Sequence, residues 1–213
     1  MSHLIGLIGF IGAGKGTVGD ILSECGYTKD SFAKPLKDAV SVIFGWKREH
    51  LEGDTAESRL WREIPDEFWT KQFGYTFTPR LALQLMGTEA GRNVFHQDLW
   101  VISLLNRSQG KNVVVTDVRF KNEVKAIRDA NGLVIRVRRG IDPLWYTTAL
   151  LANGGDKDAI ALMGNHAVHQ SEWDWIGSPI DYIIDNDGTL KDLREKVSAV
   201  LHGEHLRLTS ASK

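Results

Sequence analysis

Four glycines and one lysine in "GFIGAGKGT" (9–17), directly after the apolar run "LIGLI" (4–8), constrain this chain more than any other feature. A short apolar run bounded by glycine predicts a strand buried on both faces. The residues after it predict a helix from about Lys15 to Cys25. A glycine-rich turn between such elements lets successive N–H groups converge on one anion, and the helix N-terminus adds partial positive charge. Gly9, Gly14 and Lys15 match G-x-x-x-x-G-K, in which the lysine reaches the outer phosphates of a nucleotide. Gly12, Ala13, Gly14, Lys15, Gly16 and Thr17 are therefore the expected phosphate cradle. Gly16 stands where a Mg²⁺-binding hydroxyl is usual, and Thr17 follows it.

The same rhythm continues. "NVVVTD" (112–117) and "LVIRVRR" (133–139) predict buried strands, joined by a helix with Val124 and Ile127 inward and Gly132 as its stop. "DYIIDN" (181–186) is the last strand, and "GTLKDLREKVSAVL" closes the chain as an amphipathic helix. Its stripe is Leu190, Leu193, Val197 and Val200, and Thr189 with Asp192 forms a capping pair. Strands alternating with helices imply right-handed crossovers, a mainly parallel sheet and helices on both faces. Residues 46–110 are helical in pattern without a central strand, and 140–178 hold Gly, Pro and Trp in irregular order; both are expected as insertions. The tail "TSASK" is expected to be disordered.

Composition sets limits. At 213 residues one domain with an inserted subdomain is favoured. The balance of 26 basic and 27 acidic residues argues against a nucleic acid polymer or a membrane surface as partner. Cys25, the one cysteine, excludes intramolecular disulfides and is expected as a packing residue. The N-terminus lacks the basic leader of a signal peptide, and no stretch reaches the roughly 18 apolar residues of a membrane span, so a cytoplasmic location is expected. His166 and His169 lack the spacing of a zinc site.

Further charged positions fit a phosphate site. Asp117, at a strand end, can meet Mg²⁺ or its waters, or can cap the next helix. Arg119 can clamp phosphate oxygens or pair with Glu123. Alternation separates Arg138 from Arg139, so one of the two faces the crevice. In "TPRLALQLMGTEAGR", Thr78 is an N-cap and Pro79 the first helical residue. Arg80, Gln84, Gly87 and Thr88 then share a polar stripe beside Leu81 and Leu85, which suits an acceptor or merely a wet face. Lys37 and Arg59 are further cationic candidates, and Trp100 could lie against a base.

In order, "GFIGAGKGT", "AKPLKDAV", "LEGDTAESR", "TPRLALQLMGTEAGRNVFHQDLWV", "VVVTDVRFKNEVKAIRDANGLVIRVRRG", "HQSEW" and "IIDNDGTLKDL" resemble the phage-type deoxynucleoside monophosphate kinases nearly end to end. The G-K-G-T loop is similar to that of adenylate kinase, where magnesium is held largely through water. The resemblance implies a three-layer α/β/α P-loop kinase fold, with a mainly parallel sheet of about five strands. Within one domain, 1–213, it implies a helical acceptor-binding insertion at 46–110 and a lid at 140–178. It further implies ATP as donor with Mg²⁺ near Thr17 and Asp117, and an acceptor meeting Arg80, Gln84, Gly87, Thr88, Trp100 and Asp117, with Arg59 and Lys37 near its phosphate. Asn186 and Gly188, in "DNDGT", would line the adenine; Lys15, Arg80, Asp117, Arg119 and Arg138 or Arg139 would serve transfer. Relatives suggest a homodimer. Ile11 stands where some relatives carry a basic residue, so one charge must come from elsewhere. A different small acceptor such as dephospho-coenzyme A, or a nucleotide-dependent switch or ATPase, are the alternatives; no N/T-K-x-D base-reading motif supports a GTP switch.

Overall fold

A computed structural model describes residues 3–166 and 168–211. Chain contacts divide it into two compact units, residues 1–31 with 105–213, and residues 32–104.

The first unit is built on five parallel strands: β1 (Leu4–Ile8), β2 (Thr28–Asp30), β3 (Val113–Val115), β4 (Leu133–Arg138) and β5 (Tyr182–Asp185). Their order is β2-β3-β1-β4-β5. β1 is the centre, with Ile5 level with Val114 on one side and Leu133 on the other. All its residues are buried, as its unbroken apolar run requires. β2 was not foreseen from sequence, because "TKD" is polar and lies at the sheet edge.

Alternation along β1 sorts the layers. Ile5 and Leu7 join Val18, Ile21 and Leu22 of α1 (Lys15–Glu24) and Leu193 and Val197 of α10 (Leu190–Ala211) in one core. Gly6, between them, faces the other way, against Ile127 of α7 (Lys121–Asp129) and Val118. Helices therefore cover both faces, giving the expected three layers.

Several local expectations meet corrections. Cys25 is exposed at the end of α1 and is not part of the core, against the expectation of a packing residue. Leu190, the first residue of α10, is 54% exposed and so falls outside the expected buried stripe. The left-handed residue that ends α7 is Asn131, at φ 56°, rather than Gly132. Gly132 is required for space instead: a Cβ there would press on Leu4 O at 2.7 Å. Thr189 and Asp192 do cap α10, with Asp192 Oδ2 accepting from the Thr189 N–H at 2.8 Å and Thr189 Oγ1 accepting in return at 3.2 Å. Residues 209–211 of the tail are placed at the end of α10, and 212–213 lie outside the described residues. The irregular stretch after β4 contains α8 (Tyr146–Asn153), α9 (Lys157–Asn165) and a 3₁₀ turn, Gln170–Glu172.

The second unit contains α2 (Lys34–Phe44), α3 (Ala56–Trp61), α4 (Glu67–Phe73) and α5 (Pro79–Gln84), a π-helix at Leu85–Phe95 and the start of α6 (Leu99–Ser108). Its own core joins Leu36, Val40, Trp46, Leu51, Phe77 and Ala82. Trp46 and Trp69 each satisfy their indole N–H inside it, on Asp66 Oδ2 at 2.8 Å and Phe44 O at 3.1 Å.

Two loop glycines make the packing testable. Gly9, at φ 140°, lies so near Val137 that a Cβ would collide with that carbonyl, whereas Gly12, at φ 81°, has open space around it. Gly9→Ala is expected to cost more than about 4 kcal/mol, and Gly12→Ala about 1–2 kcal/mol for its left-handed backbone alone. Urea unfolding of both variants checks this; equal midpoints would contradict it.

Candidate active site

The turn after β1 lies where the sheet reverses direction, since the chain goes first to β2 and β3 on one side and then to β4 and β5 on the other. Ligands of open α/β sheets bind at such a point. Three residues of the turn have positive φ: Gly9, Gly12 and Gly14, at 140°, 81° and 99°. Gly14 is the N-cap of α1, and no side chain caps the helix. The first-turn amides of Lys15, Gly16 and Thr17 thus have no intrahelical acceptor, which is the arrangement an anion completes.

Lys15 folds back over this turn. Its ammonium donates to Gly9 O at 2.6 Å and to Phe10 O at 3.0 Å. Burial, and next the Arg119 guanidinium, lower its pKa from 10.5 to about 8, while Glu172 and Asp117 act in the opposite sense. Lys15, Asp117, Arg119 and Glu172 therefore share one electrostatic neighbourhood. Three of these were expected from sequence. Glu172 was missed, since a carboxylate 53 residues from Arg119 leaves no signature in spacing.

Arg119 is held by Glu172, Nη1 to Oε1 at 2.6 Å, and not by Glu123. Glu123 instead accepts the backbone N–H groups of Arg119 and Phe120 at 2.8 and 3.1 Å, which fixes the start of α7. The turn presenting Glu172 is itself anchored. Asn153 Nδ2 reaches three carbonyls, Trp173 at 3.0 Å, Asp174 at 3.2 Å and Ile176 at 2.8 Å. Asp174 Oδ2 accepts from the Lys121 N–H at 2.8 Å.

Asn186, expected near a base, supports the turn: its Nδ2 donates to Ala13 O at 2.9 Å and occupies the space a side chain at Gly14 would need. Gly188 gives room to Asp192. Arg138 pairs with Asp185, Nε to Oδ1 at 2.6 Å, and Arg139 is exposed beyond the strand end. Arg136, which sequence reasoning passed over, is the buried cation of β4, 4% exposed. It pairs with Asp142, donates to the Tyr146 hydroxyl at 3.1 Å, and lies 4.9 Å from the Tyr146 ring, 5.2 Å from Trp175 and 6.0 Å from Phe10. Phe10 thereby ties the turn to the segment after β4. Ile11, at the tip, is 71% exposed.

The remaining candidates belong to the unit 32–104. Thr78 caps α5, accepting from the Leu81 N–H at 3.1 Å, with Pro79 at its first position as expected. The polar stripe is only partly formed. Arg80, Gln84 and Thr88 are exposed, but Gly87 is buried beneath Leu36, because the π-helix from Leu85 changes the period on which the stripe was drawn. Trp100 donates its indole N–H to Gly87 O at 2.8 Å and covers Gly91, so it braces the π-helix. Lys37 pairs with Glu52 at 2.7 Å, and Arg59 Nη1 reaches Gly53 O and Asp54 O at 3.3 and 3.2 Å.

Magnesium fits these donors in one way. Among the described residues no group of three or more His, Cys, Asp or Glu could hold a metal. The chain offers the exposed Thr17 hydroxyl and the half-buried Asp117 carboxylate, hard oxygen donors suited to a cation that keeps waters and phosphate oxygens as its other ligands.

No protein-family profile matches the chain. A protein named "Putative deoxynucleotide monophosphate kinase", from Acanthamoeba polyphaga mimivirus, is 34% identical over 151 residues, covering 64% of this chain and 74% of that protein. The deoxynucleoside-5′-monophosphate kinase of Escherichia phage T5 is 30% identical over 187 residues, covering 62% and 74%. Among solved structures, a dephospho-CoA kinase from Campylobacter jejuni is 16% identical with a TM-score of 0.47, covering 95% of this chain and 97% of that one. A gluconokinase from Sinorhizobium meliloti 1021 is 15% identical at 0.45, covering 99% and 98%. At these scores the two structures carry nothing about the site.

The Lys15 neighbourhood can be measured directly. By NMR of the Lys15 side chain, the ammonium is expected to titrate near pH 8. In Glu172→Gln it should titrate lower still, because a carboxylate favouring the charged form is gone. An unchanged or higher value would show that Glu172 is not coupled to it.

Proposed function

We infer that this chain, which belongs to the deoxynucleoside monophosphate kinase family, moves the γ-phosphoryl group of ATP to the 5′-phosphate of a deoxynucleoside monophosphate. A phosphate oxygen of the acceptor forms the new P–O bond, the bond to the β-phosphate oxygen breaks, and ADP and a deoxynucleoside diphosphate leave. The observation that carries this reading is the uncapped α1 N-terminus behind a left-handed glycine turn, with Lys15 folded across it.

The acceptor oxygen is already anionic, so no strong general base is required; catalysis is alignment and charge neutralisation. The amides of Gly14 to Thr17 hold the triphosphate, and Lys15 exchanges the carbonyls of Gly9 and Phe10 for phosphate oxygens, following the group as it moves. Arg119 serves the same charge from its place on Glu172. Thr17 and Asp117 would hold Mg²⁺, which would supply charge neutralisation to the triphosphate. In the unit 32–104, Arg80, Gln84 and Thr88 take the acceptor, with Arg59 and Lys37 as phosphate cations. Gly87 and Trp100 act by shaping the π-helix that borders them. The segment 140–178 shields the reaction from water, which otherwise competes for the phosphoryl group. No helix among the described residues is long and apolar enough to cross a membrane, and the proposed site of action is the cytoplasm, where both nucleotides occur.

Three outcomes follow. Lys15→Met is expected to abolish turnover while the circular dichroism spectrum stays that of the parent; a variant with most of its activity would contradict the role of the ammonium. Arg80→Ala should raise KM for the monophosphate by about tenfold or more and that for ATP by less than about twofold. A coupled ADP assay with every deoxy- and ribonucleoside monophosphate, and with dephospho-coenzyme A, is expected to respond to one or more deoxynucleotides. A response to dephospho-coenzyme A alone would replace this function with another acceptor.

A further inference from the structure

The unit 32–104 concentrates positive charge at a point that spacing did not single out. Arg59 lies in the last turn of α3, and Arg62 is the C-cap three residues on, so the two side chains leave neighbouring points of the helix surface. Arg80, in the first turn of α5, is brought beside them by its own N–H, which donates to the Arg62 carbonyl at 3.0 Å.

Arg59 and Arg80 have partners of their own. Arg59 uses the Gly53 and Asp54 carbonyls, and Arg80 meets Glu63 at 3.2 Å, with both side chains of that pair more than half exposed. Arg62 differs. Its Nε is buried with no hydrogen-bond partner, and among the described residues it makes no ion pair. Gly53, at φ 69°, packs so tightly on its guanidinium that any Cβ would collide with it. Burial first, and then the neighbouring Arg80, push the Arg62 pKa below the ordinary arginine value; Glu63 offsets part of this, Arg59 adds to it and Asp54 offsets again.

A half-buried guanidinium beside two others, with no anion on it, is an unfavourable arrangement that a doubly charged phosphate would relieve. We propose that Arg62 binds the 5′-phosphate of the acceptor together with Arg59 and Arg80, as the buried member that sets where the anion sits. This rests on the acceptor being a nucleoside monophosphate, as inferred above. A phosphate monoester and free phosphate share this chemistry, and the experiment separates them.

The test is calorimetry on the full chain without ATP, using the four common deoxynucleoside 5′-monophosphates, their deoxynucleosides, and inorganic phosphate. The parent protein is expected to bind at least one monophosphate more tightly than either its nucleoside or phosphate alone. Arg62→Gln should lose roughly 10- to 100-fold in monophosphate affinity, the scale of a charge-assisted hydrogen bond, with nucleoside binding changed less than about twofold. Should the Gln variant fail to fold, Arg62→Lys decides: it keeps the charge without the fork, and a smaller loss confined to the monophosphate is expected. Parental monophosphate affinity in a folded Arg62→Gln, or an equal loss of nucleoside and nucleotide, overturns the assignment. In a protein whose Gln variant does not fold, unchanged monophosphate affinity in Arg62→Lys does the same. Phosphate binding as tightly as any monophosphate would make this a general anion site and also overturn it. If the parent neither prefers a monophosphate over its nucleoside nor turns one over, the kinase function itself fails, and that result is distinct from a parent that prefers it beside an unaffected variant.

Discussion

An ammonium group held over a turn of left-handed glycines is the constraint on which the junction of β1 and α1 depends. Lys15 gives its protons to two carbonyls of its own turn, in surroundings dry enough to lower its pKa to about 8. Such a cation is costly to bury, and Arg119 adds repulsion to that cost. The chain answers with charge of the other sign from two directions, Asp117 after β3 and Glu172 from the 3₁₀ turn that Asn153 pins in place. These two carboxylates offset part of that cost.

The backbone around that group is equally determined. Gly9 has no room for a side chain because Val137 of the neighbouring strand touches it, and Gly14 has none because Asn186 props the turn through Ala13 O. A loop that must expose its amides cannot use them to hold itself together, so neighbouring strands and their following loops do so. Phe10 adds an aromatic anchor, packed against Trp145, Tyr146 and Trp175, with Arg136 among these rings. Positive charge on β4 is thereby committed to structure at 136, whereas at 138 it is paired at the surface with Asp185.

In the unit 32–104 the π-helix is the deciding element. Bonding from i to i+5 widens the turn, so residues beyond Leu85 rotate away from where a 3.6-residue period places them. Gly87 turns inward under Leu36 and offers its carbonyl to Trp100, while Gln84 and Thr88 stay exposed. Trp100, expected against a base, gives its indole N–H to that carbonyl and so braces the π-helix.

By itself the sequence determined the elements whose information is local. β1 and β3 are continuous apolar runs, β4 and β5 are largely apolar, and the glycine turn, the Thr78-Pro79 helix start and the Thr189–Asp192 cap each bind residues within a few positions of one another. The residues proposed as a phosphate cradle, 12–17, were legible for the same reason, being neighbours in the chain. What only the tertiary structure decided are the pairings across long separations: Glu172 on Arg119, Asn186 under Gly14, Arg136 among three aromatic rings, and the edge strand β2, whose polar residues carry no strand signal until β3 lies beside them. Charge and hydrogen-bonding capacity are written in each residue, but which partner answers them depends on where the sheet and its crossovers bring distant segments together, and periodicity contains no term for that.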